Sequence, residues 1–183
     1  MQQALPPESN EHYLEISTGN VLERFLPIRT FMLDVDGVLT NNEVLITEEG
    51  ALLRTMHVRD GYAIQLALRQ GYQVFVITGG KSRGVADRLR ALGIQDIASN
   101  VRNKLGAYEE YLDVYGLEES RILYMGDDLP DYDVMRRVGL PVCPSDAAQE
   151  IMAICPYVSP LPGGKGCVRD VIEKVLKLNG HWK

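Results

Sequence analysis

Residues Phe31-Met32-Leu33-Asp34-Val35-Asp36-Gly37-Val38-Leu39-Thr40 decide how the rest of the chain is read. An apolar run ends in two carboxylates and then breaks at a glycine. In an extended strand, residues two apart point to the same side, so Asp34 and Asp36 converge near one point. Two like charges there repel unless a cation or a shared proton holds them. A divalent metal suits such a pair, and a carboxylate beside a hard cation can attack phosphorus. A plain strand-end turn is the competing reading, because Asp-Gly is good turn chemistry.

Outward from this stretch, short apolar runs alternate with segments of helical period, the pattern of an α/β fold in which helices cover a parallel sheet. Strands are predicted at 30–35, 73–78, 95–98, 121–126 and 140–143. Helices are predicted at 61–70, 82–92, 103–115, 130–138, 146–153 and 167–177. Gly71, Gly93, Gly116 and Gly139 each follow a helical stretch, where helix stops belong. Residues 41–58 differ: two β-like runs flank Glu48-Glu49-Gly50 and read as a hairpin inserted after the first strand. The expected organisation is a polar N-terminal extension (1–25) and a single domain (26–183) ending in a C-terminal tail (160–183). In open parallel sheets, ligands sit outside the carboxyl ends of the strands. Asp34 and Asp36, then Thr78-Gly79-Gly80, then Gly126-Asp127-Asp128 all fall at such ends.

The 183 residues are 45% hydrophobic and 24% charged, within the globular range and enough for one core. Nineteen basic against 25 acidic side chains give a net charge of −6, with no dense basic run. That balance argues against nucleic acid, whose affinity rests on phosphate contacts. An anionic substrate must then be drawn by a metal and a few placed cations. No apolar stretch approaches the ~18 residues of a membrane span, and no secretion signal is legible, so a cytoplasmic protein is expected. Cys143, Cys155 and Cys167 form no Cys-x-x-Cys pair and read as reduced thiols without a role.

Each remaining motif has a bland reading beside a chemical one. Thr78-Gly79-Gly80 offers a hydroxyl and backbone N–H groups that could cradle a phosphate, or a simple turn. Lys104 opens a helix, where a cation opposes the dipole; it is a solvated lysine or a phosphate partner. Asp131 suits a helix start, but adjacent Asp127 and Asp128 at a strand end are hard to explain without a cation. Mg²⁺ needs few protein carboxylates; Asp34, Asp127 and the backbone carbonyl of Asp36 would meet that need.

Asp34-x-Asp36-Gly37-Val38, Thr78, Lys104 and Gly126-Asp127-Asp128-x-x-Asp131 together resemble the four ordered motifs of the haloacid dehalogenase superfamily of phosphohydrolases. The resemblance implies a Rossmann-like fold and Mg²⁺ dependence. It casts Asp34 as nucleophile, forming an aspartyl-phosphate. Asp36 becomes general acid and then base, and Asp127 a metal ligand. Thr78, Gly79 and Lys104 become phosphate contacts, with Asp128 and Asp131 behind the metal ligands. Superfamily members usually carry a cap domain. Here only the hairpin and residues 79–103 fill the two insertion points, and neither can bury a core. The site would be open in a monomer.

Within the superfamily, Val58-Arg59-Asp60-Gly61-Tyr62, Ile77-Thr78-Gly79, Tyr124-Met125-Gly126-Asp127-Asp128-Leu129 and Gly163-Gly164-Lys165-Gly166 are similar to the capless 3-deoxy-D-manno-octulosonate (KDO) 8-phosphate phosphatases of lipopolysaccharide synthesis. That branch implies a homotetramer with shared active sites. In it, hairpins meet centrally, Arg88 reaches a neighbour's substrate carboxylate, and the Gly163–Gly166 tail covers an adjacent site. Solvated arginine and an ordinary glycine turn are the alternatives for these last two. Gly80 and Ala91 lack charges expected of enzymes acting on nine-carbon sugar acid 9-phosphates, which favours the eight-carbon substrate. His57 stands where an Asn is expected, and a mere strand histidine is the simpler reading of it. A phospho-receiver domain shares the acidic cluster, Thr and Lys, but lacks a second Asp at the place of Asp36. A non-catalytic scaffold would not need every catalytic position filled.

Overall fold

The apolar runs pair into a six-stranded parallel sheet in the computed structural model, which describes residues 20–183. The chain first lays down β1 (Thr30–Leu33), followed by the two-residue hairpin strands β2 (Leu45–Ile46) and β3 (Leu52–Leu53). The main sheet continues with β4 (Gln73–Ile77), β5 (Ile97–Ala98), β6 (Ile122–Met125), β7 (Leu140–Cys143) and β8 (Tyr157–Val158). Their spatial order is β5-β4-β1-β6-β7-β8. β1 therefore lies between β4 and β6, with Leu33 in register with Val76 on one side and Met125 on the other. The chain builds outward from β1 through β4 and β5, then returns to its other flank with β6. A crevice opens at the carboxyl ends where the winding reverses.

Period-two alternation sorts the strand side chains onto two faces. Phe31, Leu33, Val74, Val76, Leu123 and Met125 pack with helices α1 (Val58–Arg69), α2 (Arg83–Ala91) and α6 (Cys167–Leu178). Met32, Phe75, Ile77 and Tyr124 pack with α3 (Lys104–Tyr115), α4 (Tyr132–Met135) and α5 (Gln149–Ile154). Helix α6 buries Val168, Val171, Ile172, Val175 and Leu176, the i, i+3, i+4, i+7, i+8 stripe of an amphipathic helix. Each such aliphatic contributes roughly 1.5–3 kcal/mol over exposure. Truncating Ile172 to Ala therefore costs about 2–5 kcal/mol. Residues 160–183, read from sequence as a tail, thus contain one wall of the core.

Several boundaries depart from expectation. Residues 21–25, assigned to the leader, form a 3-10 turn whose Phe25 is fully buried; residues 1–19 lie outside the described residues. Strand β8 is too short to register as a periodic run. The helix expected at 130–138 is a 3-10 turn (Leu129–Asp131) running into α4, because Pro130 occupies its first turn. Helix α1 begins at Val58 instead of 61 and runs through Gly61. A Cβ there would lie 2.9 Å from Arg88 Nη2 and 3.0 Å from the Leu92 side chain, so glycine allows α1 and α2 to approach. Within the stretch expected as a hairpin, only two residues per strand pair, Leu45–Ile46 with Leu52–Leu53, and Val58 already belongs to α1. Leu45 and Ile46 remain 67% and 68% exposed. Among the described residues, nothing else is inserted that could serve as a cap.

Candidate active site

Asp34, Thr78 and Asp127 lie just beyond the ends of buried strands, and Lys104 reaches them from the start of a helix. Asp34 follows β1, its N–H donating to Met125 O at 3.0 Å across the β1–β6 pair. The chain then turns tightly through Val35–Leu39, with Gly37 at φ +86°. A Cβ on Gly37 would stand 2.0 Å from Asp127 Oδ2, so only glycine lets the β1 turn and the β6 end share this space. Thr78 follows β4; its N–H donates to Ala98 O at 2.8 Å, and its Oγ1 accepts the Gly80 N–H at 3.0 Å. Lys104 stands at the first position of α3, after the Asn103 cap that accepts the Gly106 N–H.

The Lys104 side chain turns back into the crevice. Its Nζ lies 2.9 Å from Asp34 Oδ2 and 2.7 Å from Asp131 Oδ1, with all three side chains nearly buried. Asp131 Oδ1 also accepts the Tyr124 hydroxyl at 2.6 Å, and its Oδ2 accepts the Asp127 N–H at 3.2 Å. Asp131 is therefore fully engaged as scaffold, holding Lys104 toward Asp34. This explains the cation at a helix N-terminus: two carboxylates outweigh the dipole. Burial alone would lower the Lys104 ammonium, but Asp34 and Asp131 more than offset it and raise its pKa.

The carboxylates carry the opposite strain. Burial first, and then the charge of Asp131, push Asp34 up to about 7 against the pull of Lys104. Burial pushes Asp127 to about 6, opposed by the Asn42 hydrogen bond and assisted by Asp131. Asp34, Asp127 and Asp131 offer oxygens within 4.8 Å of one another. A cluster of buried carboxylates with only one ammonium among them is short of positive charge, and all its donors are hard oxygens. Magnesium fits that donor set. Asp34 and Asp127 would hold it, since the Asp131 oxygens are already occupied.

The cleft encloses about 720 Å³ and is lined by Asp34, Asp36, Thr78, Gly79, Lys104, Asp127, Asp128 and Asp131, together with Gly80, Arg102 and Asp146 among others. Asp36 is half-buried and faces this space, and Asp128 is exposed at its mouth. Arg88 is exposed on α2 and does not line the cleft of its own chain. The Gly163–Gly166 segment lies against the β1 turn of the same chain. Gly164 N–H donates to Val38 O at 2.9 Å, Gly163 N–H to Asp146 Oδ1 at 2.8 Å, and a Cβ on Gly163 would meet Gly37 O at 2.0 Å. His57 lies on no strand: it immediately precedes α1, outside the cleft, with Nδ1 3.7 Å from Asp60 Oδ2.

The pattern described as haloacid dehalogenase-like hydrolase matches residues 91–166, which carry Lys104 and Asp127. The KDO 8-phosphate phosphatase KdsC of Escherichia coli strain K12 is 37% identical over 163 residues, 89% of this chain and 87% of its own length. The chain belongs to the KDO 8-phosphate phosphatase family of haloacid dehalogenase-like hydrolases. Among solved structures of this family, that of the Yersinia pestis phosphatase superposes with a TM-score of 0.85 at 34% identity, covering 88% of this chain and 87% of that one. The Moraxella catarrhalis phosphatase, solved with magnesium, phosphate and KDO, gives 0.83 at 32% identity, covering 86% and 91%.

Two contributors to the cleft of this family member escape sequence reasoning. Asn42 donates to Asp127 Oδ2 at 2.8 Å, and Arg54 pairs with Asp36 through Nε–Oδ1 at 2.5 Å and Nη2–Oδ2 at 3.0 Å. Both come from the hairpin, where neither stands in a motif. The one available signal was polar residues at the base of an otherwise apolar β-ribbon.

Proposed function

We propose that the chain hydrolyses KDO 8-phosphate to KDO and inorganic phosphate, with Mg²⁺, through an aspartyl-phosphate on Asp34, as a step in lipopolysaccharide synthesis in the cytoplasm. The observation that carries this reading is the Asp34–Lys104–Asp131 bridge beside Asp127, at the rim where β1, β4 and β6 end. When bound, the ion neutralises charge on the phosphoryl oxygens and on Asp34.

Lys104 and Thr78 orient the phosphoryl group, and Gly79 adds a backbone donor. An Asp34 oxygen forms a bond to phosphorus as the bond to the sugar oxygen breaks, and Asp36 gives that leaving oxygen its proton. Water then attacks the phosphorus and Asp36 takes its proton. The bond to Asp34 breaks, releasing phosphate and restoring both carboxyl groups. Asp131 shapes the site from behind the ligands, and Asp128 stands at its mouth. Positioning on this scale can account for several kcal/mol of barrier.

The cleft is open and the described residues bring no cap, so substrate discrimination calls for a second copy. The exposed apolar residues Val44, Leu45, Ile46, Leu52 and Leu53 on a short ribbon suit burial against other copies in a homotetramer. Arg88, exposed and without an ion pair among the described residues, suits a carboxylate on a substrate held by a neighbour. No helix among the described residues is long and apolar enough to cross a membrane. Phosphate release measured in parallel on the eight-carbon 8-phosphate and a nine-carbon 9-phosphate, with and without chelator, tests the reading. Strong preference for the former and loss with chelator are expected; equal turnover of both would overturn the substrate assignment.

A further inference from the structure

The acid–base carboxylate of this reaction is held by a residue from outside the rim. Asp36 sits in the turn after β1 with its side chain 36% exposed, and the turn does little to fix it. Besides Arg54, the contact that restrains it is the Thr40 hydroxyl at 3.4 Å. A half-buried aspartate so lightly held would divide itself among its staggered rotamers. Proton transfer needs the carboxyl within hydrogen-bond reach of the ester oxygen.

Arg54 supplies the missing restraint. Its side chain is only 7% exposed, although it leaves a hairpin whose apolar residues are largely in solvent. The guanidinium meets both carboxylate oxygens of Asp36 through two different nitrogens, at 2.5 and 3.0 Å, and Nη1 reaches Leu52 O at 3.4 Å. That fork matches a carboxylate in direction as well as charge, which an ammonium cannot do. Gly80 leaves the space in which the pair forms. A Cβ there would lie 3.0 Å from Asp36 Oδ2 and 3.6 Å from Arg54 Nη2. The pair is thus built by three separated segments: the β1 turn, the end of β3 and the turn after β4.

We propose that Arg54 is a positioning residue for the reaction, fixing the Asp36 carboxyl group on the cleft side, so that the hairpin takes part in the proton-transfer step. The inference rests on the acid–base reading of Asp36 given above. It assigns the hairpin a chemical task in addition to any role in assembly. It also gives Gly80 a reason distinct from substrate charge.

Single-turnover release of the alcohol with Mg²⁺ isolates the first step. Two esters separate the roles: the sugar-acid 8-phosphate, whose alkoxide needs a proton, and p-nitrophenyl phosphate, whose leaving group does not. Removing a general acid typically costs about 10²–10⁴-fold, and a residue acting through that acid costs less. Arg54→Ala is expected to slow release from the 8-phosphate about 10–100-fold and from the aryl ester less than about threefold, with KM nearly unchanged. Arg54→Lys should recover only part of the loss. Asp36→Asn and the double variant Asp36→Asn/Arg54→Ala should coincide, because Arg54 has nothing left to position. Equal losses on both esters, or losses that multiply in the double variant, would overturn the proposal. Should Arg54→Ala not fold, Arg54→Gln carries the same comparison. If Asp36→Asn itself fails to discriminate between the esters, the acid–base reading of Asp36 falls first, and that outcome is distinct from a failure of Arg54 alone.

Discussion

The rim of the sheet and the hairpin beside it solve opposite problems. At the rim, Asp34, Lys104, Asp127 and Asp131 are each under 10% exposed and hold one another through charge. In the hairpin, Leu45 and Ile46 are about two-thirds exposed and two residues per strand pair. Yet the hairpin delivers Asn42 to Asp127 and Arg54 to Asp36. In the proposed mechanism a buried, densely coupled cluster sets where phosphate chemistry happens. A lightly packed ribbon contacts one carboxylate of that cluster, Asp127, and the half-buried Asp36 beside it. Chemistry that must not move is built on strand ends, and adjustment is left to an element of low intrinsic stability.

The comparison breaks first at its most rigid point. Asp34→Asn removes the proposed nucleophile and should lower kcat by at least about 10⁴-fold, a loss of the order found when a catalytic nucleophile is deleted. The far-UV dichroism should be unchanged. Phosphate release within tenfold of the parent enzyme would contradict the rim account.

Lys104→Ala tests whether the rim is held by charge. Removing the ammonium leaves Asp34 and Asp131 facing each other without a counter-charge, and breaking a buried pair this way costs about 3–5 kcal/mol. Denaturant unfolding at neutral pH should report that loss. A change under about 1 kcal/mol would show that the bridge is incidental.

The pH dependence of the metal-free protein sharpens the same point. Asp34 and Asp127 are raised from 3.8 to about 7 and about 6. The folded state therefore holds their protons more tightly than the unfolded chain does. Their contribution to stability is present below about pH 4 and is lost as pH rises through 6 to 7. Magnesium acts in the other direction, because it needs deprotonated ligands. Thermal unfolding should show a larger stabilisation by Mg²⁺ at pH 7.5 than at pH 5.5. A stabilisation that is larger at the lower pH would contradict the assignment of these carboxylates.

The smallest effect on the monomer belongs to the hairpin. Ile46→Glu places a charge on a surface already in solvent, so folding stability should move by no more than about 0.5 kcal/mol. In the tetramer proposed above that charge would face neighbouring copies, so sedimentation should shift toward smaller species than the parent chain forms. An unchanged tetramer would remove the hairpin from the interface.

What could be read in advance follows the same division. Asp34, Asp36, Thr78 and Asp127 are legible as cleft residues because each follows a periodic apolar run, so strand topology brings them to one rim, while Lys104 is legible as a cation that opens a helix against its dipole. Asp131 was legible as a position but not as a job. Only the Lys104 and Tyr124 contacts reveal it as the scaffold that aims the lysine. Arg54 and Asn42 were illegible, because their partners lie 18 and 85 residues away and depend on how the ribbon folds back. Phe25 falls within the expected N-terminal extension yet is buried, and the helix expected at 167–177 forms as α6 and packs as a wall of the core, because proximity to a terminus says nothing of burial.

The central claim is that Asp34 accepts the phosphoryl group. Borohydride quenching during turnover of the 8-phosphate, followed by peptide mass spectrometry, tests it directly, because an acyl phosphate is reduced where it stands. Homoserine at position 34, formed only when both substrate and Mg²⁺ are present, is the expected result. Reduction at another aspartate, or none during rapid phosphate release, would contradict it.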